Sequence, residues 1–121
     1  MADFHESIDL LSSDAKNYSR ALKSLKEEVE AIDWYNQRVD VSDDPALAAI
    51  MAHNRDEEIE HACMALEWLR RNMPEWDEAL KTFLFTTGDI TELEEASEGS
   101  EGGGASAESG ENSSLGIGGK S

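Results

Sequence analysis

The stretch LAAIMAHNRDEEIEHACMALEW, residues 47–68, decides the fold because polar side chains interrupt an otherwise apolar helical stripe. Alternating steps of four and three place seven residues on one face of a helix: Leu47, Met51, Asn54, Glu58, His61, Ala65 and Trp68. Both flanks of the stripe are apolar, so we expect this face to pack against a neighbour. Burying a carboxylate and an imidazole there costs on the order of several kcal/mol unless their charge is compensated. A metal ion held by Glu58 and His61 would supply that compensation.

A second apolar stripe predicts another long helix earlier in the chain. Its residues follow at the same alternating steps: Leu11, Ala15, Tyr18, Leu22, Leu25, Val29, Ile32, Asn36 and Val39. The pattern predicts a helix that begins near residues 5–8 and ends near residues 38–41. Asp44 and Pro45 then predict the N-cap and first residue of the helix containing residues 47–68, which we expect to end near Asn72.

The predicted fold class is all-α, an antiparallel two-helix hairpin followed by a short third helix that ends at Gly88. The third helix is indicated by spaced apolar residues: Trp76, Leu80, Phe83 and Leu84. A hairpin of this size cannot enclose a core alone, so self-association is expected on stability grounds. A homodimer of hairpins makes a four-helix arrangement.

Composition divides the chain into three parts. The predicted helical domain comprises residues 1–88 of the 121. A disordered linker is predicted for residues 89–113, which are acidic and rich in glycine and serine. A small apolar terminal motif follows at residues 114–121. The formal net charge of −17 argues against nucleic acid and anionic membranes as partners and suits attraction of cations. Cys63 has no second cysteine to pair with, which favours a reducing cytoplasm.

The predicted helices carry half of a known type of metal site. Four-helix di-iron proteins use one Glu from each of two helices and Glu-x-x-His from each of the other two. Glu28 lies at the edge of the first stripe, Tyr35 follows two turns later, and Glu58 with His61 forms the Glu-x-x-His pair. A two-fold dimer would supply the other half, giving four carboxylates and two imidazoles for two iron ions.

Simpler interpretations compete with each of these assignments. A Glu-x-x-His pair arises often by chance on a solvated helix face, and Tyr35 is also typical of a core aromatic with a wet hydroxyl. Glu27, Glu30 and Trp34 share an outward face, which from composition alone is a solvated strip. The terminal motif is, on the same basis, a plain disordered end.

Three segments resemble the encapsulated ferritins. They are EEVEAIDWYNQR at residues 27–38, HNRDEEIEHA at residues 53–62, and LEWLRR at residues 66–71. The resemblance extends over about residues 15–85 and resumes at the extreme C-terminus. It implies a ferritin-like four-helix bundle and a ferroxidase whose site forms at a subunit interface. The implied di-iron ligands are Glu28, Glu58 and His61 from each of two subunits, with Tyr35 nearby.

The resemblance also implies an outer site and a cellular setting. Glu27, Glu30 and Trp34 correspond to a metal-attraction and access site, with calcium or another divalent ion as a further occupant. Dimers of the family assemble into a ring-shaped decamer, which is a cytoplasmic cargo inside an encapsulin nanocompartment and has an iron-storage role. The docking peptide that binds the encapsulin shell corresponds to four residues: Leu115, Gly116, Ile117 and Gly118.

The sequence leaves two rival classes of function open. The first is a non-enzymatic helical scaffold or cargo adaptor stabilised by a structural ion such as Ca²⁺ or Zn²⁺. The second is a different di-metal enzyme, such as a peroxidase or oxygenase, although this short chain offers little material for a substrate pocket.

Overall fold

A computed structural model describes residues 4–102 of the chain, which form a 3-10 turn and four α-helices. The 3-10 turn spans Ile8–Leu10, and the helices are α1 (Ser13–Val41), α2 (Pro45–Asn72), α3 (Pro74–Phe83) and α4 (Ile90–Gly102). No residue in this part of the chain is assigned to a strand. The chain divides into two compact units between Met73 and Pro74. The all-α fold class predicted from the sequence is confirmed.

Local capping fixes the ends of the two long helices. Ser12 accepts a hydrogen bond from the backbone N–H of Ala15 and so begins α1 at residue 13, later than the predicted start at residues 5–8. Asp44 accepts hydrogen bonds from the N–H groups of Ala46 and Leu47, at 3.0 and 3.4 Å, and Pro45 opens α2. The predicted N-cap and the predicted end at Asn72 are both confirmed.

Helices α1 and α2 form an antiparallel hairpin, with contacts that run in opposite order along the two helices. Asn36 of α1 meets Arg55 of α2, and Tyr18 of α1 meets Trp68 and Asn72 near the end of α2. Leu69 is the one residue within 4–99 that is fully buried. A two-helix layer therefore buries almost nothing completely, as expected for a hairpin that lacks a partner.

One side of this hairpin, which we call the open face, carries residues at heptad spacing on both helices: Leu22, Val29 and Asn36 of α1, and Leu47, Asn54, His61 and Trp68 of α2. Tyr18, one turn before Leu22, packs edge-on against Trp68, so the two rows lie on the same side of the hairpin. The apolar members remain substantially exposed, from 37% for Trp68 to 54% for Val29.

The second unit contains α3 and α4, which contact each other. Helix α4 differs from the sequence expectation, because residues 90–102 fall within the predicted disordered linker. The Asp89 carboxylate explains the helix start, since its Oδ1 accepts hydrogen bonds from the N–H groups of Thr91 and Glu92. The rest of that linker and the terminal motif at 114–121 lie outside the described residues. No helix within residues 4–102 is long and apolar enough to cross a membrane.

Candidate metal centre

The middle of the hairpin brings together one side chain from α1 and two from α2. Glu28, Glu58 and His61 each offer a ligand atom, and these atoms all lie within 4.8 Å of one another. His61 Nδ1 is 3.3 Å from Glu58 Oε1 and 3.8 Å from Glu28 Oε1. Within the part of the chain that the structure describes, this is the one group of three or more such side chains close enough to share an ion. The structure thus unites the three predicted inner ligands.

Contacts on both sides of the cluster align the two helices. Toward one end, Tyr18 and Trp68 form an edge-to-face pair with ring centroids 6.2 Å apart. The Tyr18 hydroxyl also donates to the backbone carbonyl of Asn72 at 3.0 Å. Toward the other end, Arg55 Nη1 donates to Asn36 Oδ1 at 3.0 Å. These contacts hold Glu28 opposite the Glu58–His61 pair.

The two carboxyl groups of the cluster interact strongly. A hydrogen bond with Glu58 is the main reason that the pKa of Glu28 is raised, and burial and the Glu58 charge act in the same direction. The same hydrogen bond is the main reason that the pKa of Glu58 is lowered, with further help from His61. Glu28 is therefore the carboxyl group of this pair that takes up a proton first as pH falls. A metal ion would compete with a proton for Glu28, so metal binding should weaken as pH falls into the range where Glu28 becomes protonated.

The cluster is less buried than the sequence predicted. Its carboxylate side chains are about one quarter exposed and the His61 side chain is 48% exposed. The expected burial of this stripe is not reached by the contact between α1 and α2 alone. Two carboxylates and one imidazole also provide fewer donors than the six of an octahedral ion. Both observations describe a centre with room for further ligands on its open side.

The other predicted site residues lie apart from this cluster or beside it. Tyr35 is half-buried on α1 and contacts Arg38, whose guanidinium carbon lies 5.3 Å from the ring centroid. Glu27, Glu30 and Trp34 are all exposed on α1. Neither Glu27 nor Glu30 joins a group of three close ligands among the described residues. The predicted outer site is therefore not assembled within one chain's described part.

Some polar contacts were not anticipated from the sequence. His53 Nε2 lies 3.2 Å from Glu57 Oε2, and both side chains are exposed. The stripe predicted for α1 places Asn36 among apolar residues and so does not indicate its hydrogen bond with Arg55. The signal available was the arginine itself, whose long side chain reaches a neighbouring helix while its charged end stays near water.

Fold and centre together define a class: an antiparallel helical hairpin with a half-open carboxylate–histidine cluster at its middle that could hold a metal ion. Residues 3–87 match the EncFtn-like family. The chain belongs to that family, as the sequence resemblance suggested.

Individual relatives agree with this assignment. The chain is 58% identical over 100 residues to a "Ferritin-like protein" of Thermotoga maritima, covering 82% of this chain and 88% of the relative. It is 54% identical over 118 residues to an "Encapsulated ferritin-like protein" of Rhodospirillum rubrum, covering 94% of this chain and 84% of the relative. A crystal structure of a Nitrosomonas europaea protein aligns with a TM-score of 0.70 and 52% identity, over 72% of this chain and 96% of that one.

Proposed function

We propose that this protein is a ferroxidase that oxidises Fe²⁺ to Fe³⁺ with dioxygen at a di-iron site shared between two copies of the chain. The observation that carries the proposal is the cluster of Glu28, Glu58 and His61, whose ligand atoms lie within 4.8 Å of one another on a half-open face. Iron is the substrate in this proposal, and the chain supplies its ligands, their charge and controlled access.

A second copy is the natural source of the missing ligands. An isologous two-fold interface brings the same residues of two chains together across its axis. Pairing two clusters would give four carboxylates and two imidazoles, the donor set of di-iron sites in four-helix bundles. The exposed apolar residues of the open face support this arrangement, because Leu22, Val29, Leu47 and Trp68 would be covered by the same contact.

The donor chemistry favours oxidation once iron is bound. Carboxylates attract Fe³⁺ more strongly than Fe²⁺ because the Coulomb energy grows with the charge of the ion. Glu28 and Glu58 would therefore stabilise the oxidised product, and His61 would bind as a neutral nitrogen ligand. Each of two ferrous ions loses one electron to dioxygen. For Tyr35 we propose a supporting role beside the centre, as an ordering group or electron donor.

Outside the centre, we propose that Glu27, Glu30 and Trp34 form an outer site through which cations approach. Their exposure on α1 and the acidic charge of the chain support attraction of ferrous iron, or of calcium and other divalent ions, to this strip. The name of the Rhodospirillum rubrum relative, an encapsulated ferritin-like protein, supports a location inside an encapsulin compartment in the cytoplasm. We extend the proposal to mineral storage there, with a decameric ring as the assembled form.

The test of the central proposal measures iron oxidation and association together. Fe²⁺ is added aerobically to the full chain, ferric absorbance is followed, and mass is measured by sedimentation with and without metal. We expect oxidation to accompany a shift from monomer to dimer or larger ring, because metal and association are thermodynamically linked. Full activity in a strictly monomeric protein would contradict the shared site. Association without oxidation would favour a metal-stabilised scaffold or cargo adaptor.

The proposed docking peptide for the encapsulin shell consists of Leu115, Gly116, Ile117 and Gly118. Leu115 and Ile117 alternate, so an extended chain presents both to one side, and the glycines permit close approach of the backbone to a partner. Deleting residues 113–121 should abolish co-purification with an encapsulin shell and leave iron oxidation and association unchanged. If the double variant Leu115→Asp, Ile117→Asp co-purifies with the shell as the native protein does, this peptide is not the docking segment.

A further inference from the structure

Asn54 is a polar residue in the apolar row of the open face. It lies one heptad after Leu47 and one heptad before His61, so it sits one helical turn from Glu58 on the same side of α2. Its side chain is half-buried, and among residues 4–99 it has no hydrogen-bond partner. Asn36 occupies the corresponding row of α1, but its carboxamide oxygen already accepts from Arg55.

A carboxamide within an apolar row disfavours most arrangements in which a second chain packs against that row. Placing the Asn54 side chain against leucine or valine of a second chain would remove its water without replacing the hydrogen bonds. Such pairing weakens association on the order of tenfold or more, by the usual penalty for an unsatisfied amide. A single asparagine in an otherwise apolar helical interface fixes register and partner number for this reason.

The apolar residues of the open face repeat, so apolar contact alone permits more than one register of pairing between two hairpins. Leu22 and Val29 are seven residues apart, so sliding one hairpin along another by one heptad retains apolar contact. The same slip moves the ligands by about 10.5 Å, given a rise of about 1.5 Å per residue. Glu28 of one chain would then lie too far from His61 of the other to share a pair of ions. Apolar burial alone does not distinguish these registers.

We infer that Asn54 confines self-association of the hairpin to the register that completes the metal centre, and that it weakens pairing until metal is present. This inference rests on the proposed shared site. In the productive register the free energy of metal binding adds to the apolar contact and offsets the amide penalty. In slipped registers nothing offsets it, so these pairs remain rare.

The experiment uses Cys63, the single cysteine of the chain, which is exposed on α2 two residues from His61. A spin label at Cys63 of the full-length protein reports the distance between two copies by pulsed dipolar EPR. Native protein and Asn54→Leu are compared without metal and with Zn²⁺, a diamagnetic ion that does not change oxidation state. Sedimentation gives the affinity of association in each condition, and circular dichroism gives helical content.

For the native chain we expect weak association without metal and one narrow distance distribution with Zn²⁺. For Asn54→Leu we expect metal-free association on the order of tenfold tighter, with a broad or multiple distance distribution from slipped pairs. Zn²⁺ should then move the distribution toward the native distance. Gln37→Leu is the matched control, because it adds a leucine next to Asn36 but about 100° away around α1 and should behave as native.

Two outcomes overturn the inference in different ways. If native protein associates with Zn²⁺ but metal-free Asn54→Leu associates no more tightly, or gives only the native distance, Asn54 has no role in register. If native protein remains monomeric with Zn²⁺, the shared site itself is wrong and the inference fails with it. Equal tightening in Asn54→Leu and Gln37→Leu would assign the effect to general hydrophobicity and would also reject the inference.

Discussion

Helix α2 carries two carboxylate clusters that differ in how their charge is compensated. Glu67 accepts hydrogen bonds from Arg70 Nε and Nη2, both at 2.8 Å, and from Arg71 Nε at 2.7 Å. These two guanidinium groups lower the pKa of Glu67 to about 2. Nine residues earlier, Glu58 faces another carboxyl group, Glu28, and an imidazole. His61 Nδ1 lies 3.8 Å from Glu28 Oε1 and 3.3 Å from Glu58 Oε1, so these carboxyl groups have an imidazole where Glu67 has two guanidinium groups.

This difference separates a structural cluster from one that requires a ligand. Glu67 has its counter-charges within one helix at spacings of three and four residues, so its interactions are complete in the isolated chain. The Glu28–Glu58–His61 cluster instead brings two carboxyl groups and one imidazole within 4.8 Å of one another. A second carboxyl group beside the first raises the free energy of the fully ionised cluster, and a bound metal ion relieves that repulsion.

The largest expected effect is loss of iron oxidation when a residue of the Glu28–Glu58–His61 cluster is replaced. We expect the oxidation rate to fall by at least about 100-fold in each of Glu28→Ala, Glu58→Ala and His61→Ala. Loss of a contact that only orients a metal ligand already reduces metal affinity or activity by roughly 10- to 100-fold, and loss of the ligand itself should cost more. Ferric absorbance after aerobic Fe²⁺ addition measures the rate. Circular dichroism checks that helical content is retained.

Glu67→Gln is the control from the compensated cluster. It removes a carboxylate from the same helix but leaves Glu28, Glu58 and His61 unchanged, so oxidation should stay within about twofold of native. Equal losses in Glu58→Ala and Glu67→Gln would show that both act through general acidity of the helix. In that case the contrast between the clusters would not identify a metal centre.

A smaller effect is expected from the outer strip of α1. Glu27→Gln and Glu30→Gln should change the initial rate of oxidation at limiting iron by roughly two- to tenfold, since they alter local attraction of cations without removing inner ligands. A site that holds ions slows their passage and one that only attracts them speeds it, so the sign distinguishes these roles. Trp34→Ala tests whether the exposed indole restricts access. Unchanged rates in all three variants would make the strip a solvated face.

The sequence predicted the helices and the inner cluster because both depend on spacing along a helix. Glu58 and His61 are three residues apart, so any helix projects them to one side, and the capped turn at Asp44 brings α1 back against them. The exposure of His61 was not predictable from that periodicity. The same stripe pattern occurs on a helix face that packs within its own chain and on one that packs against a second copy. The alignment of Arg55 with Asn36 likewise depends on tertiary geometry.

The smallest expected effect concerns the stability contributed by the compensated cluster. The pKa of Glu67 lies near 2 in the folded chain against 4.5 ordinarily, so its ion pairs stabilise the fold above about pH 4.5. As pH falls from 4.5 toward 2, the unfolded chain takes up this proton first, and the contribution is lost. The melting temperature of native protein minus that of Glu67→Gln, both with chelator, should therefore be positive at pH 6 and approach zero near pH 2. Added salt should reduce the difference at pH 6, because the Glu67 side chain is 40% exposed and that of Arg71 is 70% exposed. A difference that stays constant across this pH range would mean that Glu67 acts through packing, and the electrostatic contrast with Glu58 would lose its basis.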